Sequence, residues 1–473
     1  MIPPMKALLF SALALCIIGT GSAEPPRPNI VFILSDDLGY ADVGFHGSEI
    51  KTPHLDQLAA SGAKLESFYG MPVCTPSRSA LMTGRYPIRY GRQYNVLRPN
   101  SKVGLALGEK LLPQLLRDAG YTTTQIGKWH LGDFDAAYWP TRRGFDHSYG
   151  VRLDQHRQHQ HLITSENALQ RDEQPVKDTG SLADLLTREA VRSIEQRDKA
   201  KPLFLYLAYH SPHTPLECPP EYAKPYAHLG PQRSLYAGMI AEMDEGIGRV
   251  VAAVEMAGLR DNTLFIFASD NGGLTSKVAA ASNAPLRDGK GSLYEGGVRV
   301  VAFATWDGHI PAGSVRHQPL HMVDWLPSLA KLAGASTDTT QPLDGRDIWP
   351  VLTEGKSSPH DLLLLNTVGR EGAVRAGDWK LVRNGQSADT DDENATQTTA
   401  ASSKEAKKQK RLAARNAPDV IELFNLATDP AESKNLATEQ PDKVHELTAK
   451  LDQFAKEAVP PILKPEHENK PTR

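Results

Sequence analysis

Three stretches of the chain are almost unbroken apolar runs: Asn29–Ser35 (NIVFILS), Leu203–Tyr209 (LFLYLAY) and Thr263–Ser269 (TLFIFAS). A strand without polar alternation is buried on both faces, which places it inside a parallel sheet covered by helices. Each run stops at a polar cluster: Asp36-Asp37 after the first, His210-Ser211-Pro212-His213 after the second, Asp270-Asn271-Gly272-Gly273 after the third. Helical patterns lie between them, at Leu105–Ala119 closed by Gly120 and at Tyr236–Met256 closed by Gly258. Strands alternating with helices predict an α/β doubly wound sheet with its ligand crevice past the carboxyl ends of the strands. Two different strands then deliver carboxylates to one edge.

The 473 residues suffice for a large α/β domain, expected at 24–350, and a smaller C-terminal one at 351–473. Beyond Trp349, strand-like pieces at Asp361–Leu365, Trp379–Val382 and Val420–Phe424 precede an amphipathic stretch, Lys443–Phe454. They predict a small antiparallel sheet carrying a C-terminal helix. Residues 386–418 are rich in Thr, Ser, Ala, Lys and Asp and poor in large apolar residues, the composition of a disordered insertion.

Residues 1–23 read as a signal peptide: Lys6, the apolar run Ala7–Gly19, then small residues ahead of Glu24. The run is too short to span a bilayer. A secreted or periplasmic protein with no membrane attachment after signal removal is expected. The net charge of −3, with no long basic stripe, argues against a nucleic-acid or membrane-surface binder. An anionic substrate would have to be caught by local cations. Two cysteines remain after the leader, Cys74 and Cys218. A secreted chain would ordinarily pair them; the surroundings of Cys74 give it other work.

Cys74-Thr75-Pro76-Ser77-Arg78 reads as the opening of a helix with Cys74 at its N-terminal end. There a side chain feels the positive end of the helix dipole, and backbone N–H groups can hold an anion. On this ground alone Cys74 is either a reactive thiolate, as in a phosphatase or protease, or a buried inert cysteine. Asp36, Asp37, Asp270 and Asn271 are hard oxygen donors suited to Ca²⁺, whereas Zn²⁺ would want His or Cys.

CTPSR followed by SALMTGRYP resembles the signature of the formylglycine-dependent sulfatases. Further stretches follow in the family's order: Asp36-Asp37, Gly127-Lys128-Trp129-His130-Leu131-Gly132, Pro212-His213-Thr214-Pro215, Asp270-Asn271-Gly272-Gly273, and Gly289-Lys290 ahead of Glu295-Gly296-Gly297. The resemblance runs from Asn29 to about Leu436. Through EKLLPQLLRDAGYTT, PLFLYLA and VDWLPSLAKLAG it is closest to the arylsulfatase B (N-acetylgalactosamine-4-sulfatase) branch.

The resemblance implies an alkaline-phosphatase-like fold and hydrolysis of a sulfate ester on a polysaccharide or oligosaccharide. It implies a formylglycine made from Cys74 by a separate maturation enzyme, and one Ca²⁺ held by Asp36, Asp37, Asp270, Asn271 and residue 74. Arg78 would hold the hydrated aldehyde and balance the carboxylates, and Lys128 and Lys290 would neutralise sulfate oxygens. His213 would protonate the leaving oxygen, while His130 would polarise the second hydroxyl. After Thr141–Asp146 the likeness to arylsulfatase B fades, and Leu153–His161 reads LDQHRQHQH. Its His156, Arg157, His159 and His161 are candidates to meet a polyanionic sugar chain. Two rivals are a phosphate or phosphonate ester hydrolase of the alkaline phosphatase superfamily and a non-catalytic protein that only binds sulfated glycan. The first would use Thr or Ser, or in few cases an unmodified Cys, and usually two metals with extra His ligands. The second would have lost one of Cys74, Arg78, Lys128, His213 or Lys290.

Overall fold

A computed structural model describes residues 27–94, 96–98, 101–153, 169–276, 280–338, 341–385 and 418–462. The leader, the His156–His161 cluster and nearly all of the 386–418 insertion lie outside the described residues.

The apolar runs are the centre of a ten-stranded sheet. Five parallel strands stand side by side, in the order His147–Val151, Thr122–Lys128, Leu203–Ala208, Asn29–Ser35, Thr263–Ser269. The edges are mixed: Ala302–Thr305 runs antiparallel to Thr263–Ser269 and is followed by Ala63–Leu65 and Ser314–Arg316. Gln170–Arg171 and Gln174–Pro175 close the other side.

Successive residues of a strand point to opposite faces, so each run feeds two cores at once. Ile30, Phe32, Leu34, Phe204, Tyr206, Leu264 and Ile266 pack on one face, beneath the helices Cys74–Thr83, Leu112–Asp118 and Trp325–Leu332. Val31, Ile33, Leu205, Leu207, Phe265 and Phe267 pack on the other, beneath Pro53–Ala60, Leu182–Glu195 and Pro231–Met256.

The helix expected over Leu105–Ala119 is confined to Leu112–Asp118. Pro113 has no N–H to give and fits only a first turn. Upstream, Leu105 N donates to Leu131 O at 2.8 Å, so that segment pairs with another loop. The Tyr236–Met256 helix starts earlier, at Pro231, for the same reason.

The C-terminal sheet is antiparallel, as expected, but has four strands: Leu363–Val368, Glu371–Ala376, Trp379–Arg383 and Ile421–Asn425. Glu371–Ala376 was not anticipated, because its EGAVRA composition carries a weak strand signal. The helix Pro441–Glu457 covers this sheet through Leu447 and Leu451. Cys74 and Cys218 are both free and buried.

Two glycines let the sheet close beneath the site. Gly127 has φ +104 and pairs with Ala208 and Gly150. A Cβ there would lie 1.8 Å from Ala208 O. Gly127→Ala should therefore destabilise the fold by about 3 kcal/mol through overpacking and backbone strain. Chemical denaturation should read this as a lower midpoint with an unchanged slope.

Candidate active site

Register does the first part of the assembly. Ser35 lies opposite Ser269 on adjacent parallel strands, so Asp36 and Asp270, the next residues of each, leave the sheet together. Lys128 ends its own strand, and His213 follows Leu203–Ala208 by a short turn in which His213 N donates to His210 O. From above, the Cys74–Thr83 helix points its N-terminus into this crevice, and all ten of its residues are buried. Cys74 Sγ sits 3.2 Å from Asp36 Oδ1 and 4.0 Å from Asp37 Oδ1.

Three buried carboxylates in one crevice repel one another unless cations intervene. Arg78, one turn after Cys74, supplies the first. Its Nε donates to Asp270 Oδ2 at 3.0 Å, its Nη2 lies 2.9 Å from the same oxygen and 3.5 Å from Asp36, and its Nη1 donates to Lys128 O at 2.9 Å. Lys128 Nζ reaches Asp36 Oδ2 at 2.6 Å, and Lys290 Nζ reaches Asp37 Oδ2 at 2.9 Å.

The cations do not share their effect equally. Burial alone would raise the Asp36 carboxyl, but Lys128, His213 and Arg78 together hold it well below the carboxylate range. Asp270 goes the other way, raised by burial and then by Asp36, with Arg78 opposing. The Cys74 thiol is pushed far up by burial, then by Asp270 and Asp36. A thiolate nucleophile, one of the two readings open to a cysteine here, is thus disfavoured.

The donor set fits a hard divalent cation. Asn271 Nδ2 donates to Asp37 Oδ1 at 2.7 Å, while its buried Oδ1 has no hydrogen-bond partner. An amide oxygen orphaned among carboxylates is the donor such an ion would satisfy. Asp36, Asp37, Cys74 and His213 each offer one atom within 4.8 Å of the others. His213 thus joins the cluster more closely than its sequence position suggested.

The two histidines are fixed by carbonyls, which only accept. His213 Nδ1 donates to Thr214 O at 2.6 Å, which turns Nε2 toward Lys290 Nζ at 3.2 Å and Asp37 Oδ2 at 3.6 Å. His130 is fully buried with φ +61, and its Nε2 donates to Leu97 O at 2.8 Å. Thr75 ties these parts together: its Oγ1 donates to His130 O at 3.2 Å and accepts from Leu97 N at 3.1 Å. Thr75 stands inside the Cys74-Thr75-Pro76-Ser77-Arg78 motif but was given no role of its own, and nothing in the sequence marks Leu97.

A profile of the sulfatase family matches residues 28–335. Arylsulfatase J of Mus musculus is 36% identical over 477 residues, spanning 93% of this chain and 78% of that protein. Arylsulfatase A of Bos taurus is 36% identical, over 96% of this chain and 90% of its own length. N-acetylgalactosamine-6-sulfatase of Mus musculus is 34% identical, over 74% and 71%. Among solved structures, that of Ps i-CgsB in complex with k-i-k-neocarrahexaose superposes with a TM-score of 0.80 at 33% identity. It covers 93% of this chain and 96% of that one. The chain belongs to the sulfatase family and is a sulfuric ester hydrolase.

Proposed function

We propose that the protein removes sulfate from a sulfated polysaccharide or oligosaccharide, using a formylglycine made from Cys74 and a Ca²⁺ held by Asp36, Asp37, Asp270, Asn271 and residue 74. The observation that carries this reading is the meeting of Cys74, buried oxygen donors and two lysines at one helix N-terminus. A sulfated carbohydrate is supported by the N-acetylgalactosamine-6-sulfatase relative and by the neighbour bound to neocarrahexaose. The arylsulfatase B-like stretches favour a 4-sulfate, and the N-acetylgalactosamine-6-sulfatase relative favours a 6-sulfate.

Hydrated formylglycine supplies a nucleophilic hydroxyl, and Ca²⁺ supplies Lewis acidity toward the sulfate oxygens. The chain's own residues do the rest. Asp270, oriented by two contacts from Arg78, takes the proton of the attacking hydroxyl. Lys128 and Lys290 present ammonium groups to the sulfate oxygens, where charge builds in the transition state. His213, with Nδ1 committed to Thr214 O, gives a proton from Nε2 to the leaving sugar oxygen. His130, with Nε2 committed to Leu97 O, keeps Nδ1 as its acceptor for the second hydroxyl of residue 74. In this reading residues 1–23 direct secretion or periplasmic export, and a formylglycine-generating enzyme matures the chain. The catalytic domain is 24–350, with 351–473 as its companion.

Peptide mass spectrometry of active enzyme should find residue 74 resistant to thiol alkylation and reactive toward hydrazides. An active preparation whose Cys74 alkylates quantitatively would overturn the formylglycine assignment. Chelation should remove activity and lower the melting temperature, with Ca²⁺ restoring both. Restoration by Zn²⁺ alone would exclude Ca²⁺. On a panel of defined oligosaccharides and simple esters, sulfates should turn over, and faster cleavage of phosphate or phosphonate esters would refute the sulfate preference.

His213→Ala should slow hydrolysis of sugar sulfates by roughly 10²–10⁴-fold. It should slow p-nitrophenyl sulfate far less, because nitrophenolate leaves without a proton. Lys290→Ala should damage both substrates alike, since its charge faces the sulfuryl group they share. Equal losses on both substrates for His213→Ala would make it a sulfate ligand and move the acid role to His130.

A further inference from the structure

We infer that Lys380, fully buried in the small C-terminal sheet, is a positioning residue that sets the active-site Lys290 by holding the 287–297 turn through Glu295 and Glu432. The inference rests on the reading of Lys290 as a cation that serves the sulfate group.

Lys380 Nζ lies 2.9 Å from Glu295 Oε1 and 2.8 Å from Glu432 Oε1, and none of the three side chains is exposed. Glu432 Oε2 accepts from Glu295 N at 2.6 Å, capping the short Glu295–Val298 turn. Glu295 Oε2 accepts from Tyr69 OH at 2.8 Å and lies 3.6 Å from Arg299 Nη1; Arg375 in turn donates to Tyr69 OH. The small sheet thus reaches the turn twice, by the Lys380 ammonium and through Tyr69 by Arg375.

The turn itself is stiff. Gly296 N donates to Arg287 O and Gly291 N to Pro72 O, each at 2.8 Å, and Leu293 N donates to Gly385 O at 2.7 Å. Gly296 and Gly297 are packed so closely that a Cβ would lie 2.4 Å from Asp288 O and 2.2 Å from Ser292 O, respectively. A shift at Glu295 therefore cannot be absorbed locally. It passes to Lys290, whose Nζ ends 2.9 Å from Asp37 and 3.2 Å from His213. Without the Lys380 ammonium, Glu295 and Glu432 lose the cation that both contact, and with it the tie that joins the turn to the small sheet. A misplacement of about 1 Å in a positioning group can cost on the order of 100-fold in rate.

The test is a double-mutant cycle on matured, Ca²⁺-loaded enzyme turning over p-nitrophenyl sulfate. Lys380→Met alone should lower kcat/KM by about 10–100-fold, and Lys380→Arg, which keeps the charge, should recover part of the loss. In a Lys290→Ala background, Lys380→Met should cost less than about twofold more, because the group it positions has gone. A merely structural role would leave the two losses multiplicative, and that result overturns the inference while leaving the role of Lys290 intact. Should Lys380→Met fail to fold, Glu432→Gln keeps an acceptor for Glu295 N, removes one charge and runs the same cycle. Full activity of Lys290→Ala would overturn both the inference and the reading of Lys290 beneath it.

Discussion

Three aspartates with almost no access to water share one crevice, and the site is organised around pairing each of them with a cation. Carboxylates are nearly never buried unless paired, because desolvation favours the neutral acid. Here Arg78, Lys128 and Lys290 come from a helix, a strand end and a loop, and each contacts a different aspartate at 2.6–3.0 Å. These contacts fix where the helix N-terminus sits over the sheet, and hence where residue 74 meets Asp36. Arg78 matters most to that geometry, since its guanidinium also grips Lys128 O and so ties helix to strand.

The sequence made the sheet and its edge legible for one physical reason. A strand buried on both faces leaves no polar alternation, so its ends are marked by the first residues that must meet a ligand or water. Asp36, Asp270, Lys128 and His213 were readable at such ends, and the register Ser35 opposite Ser269 brings the two aspartates together as the pattern implied. The helix start at Cys74 was readable from Pro76. What stayed hidden was whatever depends on contacts between distant segments. The loop before Pro113 looks helical by composition but pairs with Leu131. The Lys380–Glu295 contact joins residues 85 apart, and no spacing rule links a lysine in a small sheet to a glutamate in a glycine-rich turn. The Thr75–Leu97–His130 linkage is equally silent, because three of its five hydrogen-bonding groups belong to the backbone.

Backbone strain sits where this chemistry does. Asp37 and His130 are left-handed residues with side chains, at φ +63 and +61. Each such residue costs about 1 kcal/mol or more relative to the right-handed region. Both are over-determined by their partners: Asp37 by Asn271, Lys290 and His213, and His130 by Arg152 O, Thr75 and Leu97 O. At Asp37 the strained backbone accompanies a side chain that meets Asn271, Lys290 and Cys74 in the crevice.

Charge counting then connects the site to its substrate. Asp36, Asp37 and Asp270 face Lys128, Lys290 and Arg78 one to one. Three carboxyls set against three cations leave no large excess of positive charge, which suits a buried site but gives little attraction for an anion. The proposed Ca²⁺, held by Asp36, Asp37, Asp270, Asn271 and residue 74, would add two positive charges to the cluster. Lys128 and Lys290 would then have donors to spare for a sulfate ester. In a protein with a net charge of only −3, this local positive charge would be an attraction available to an anionic substrate. It is screened little by salt, because it is buried. In the proposed reading, the same residues that make the fold tolerate three buried carboxylates would, with the ion bound, be the groups that hold the sulfate.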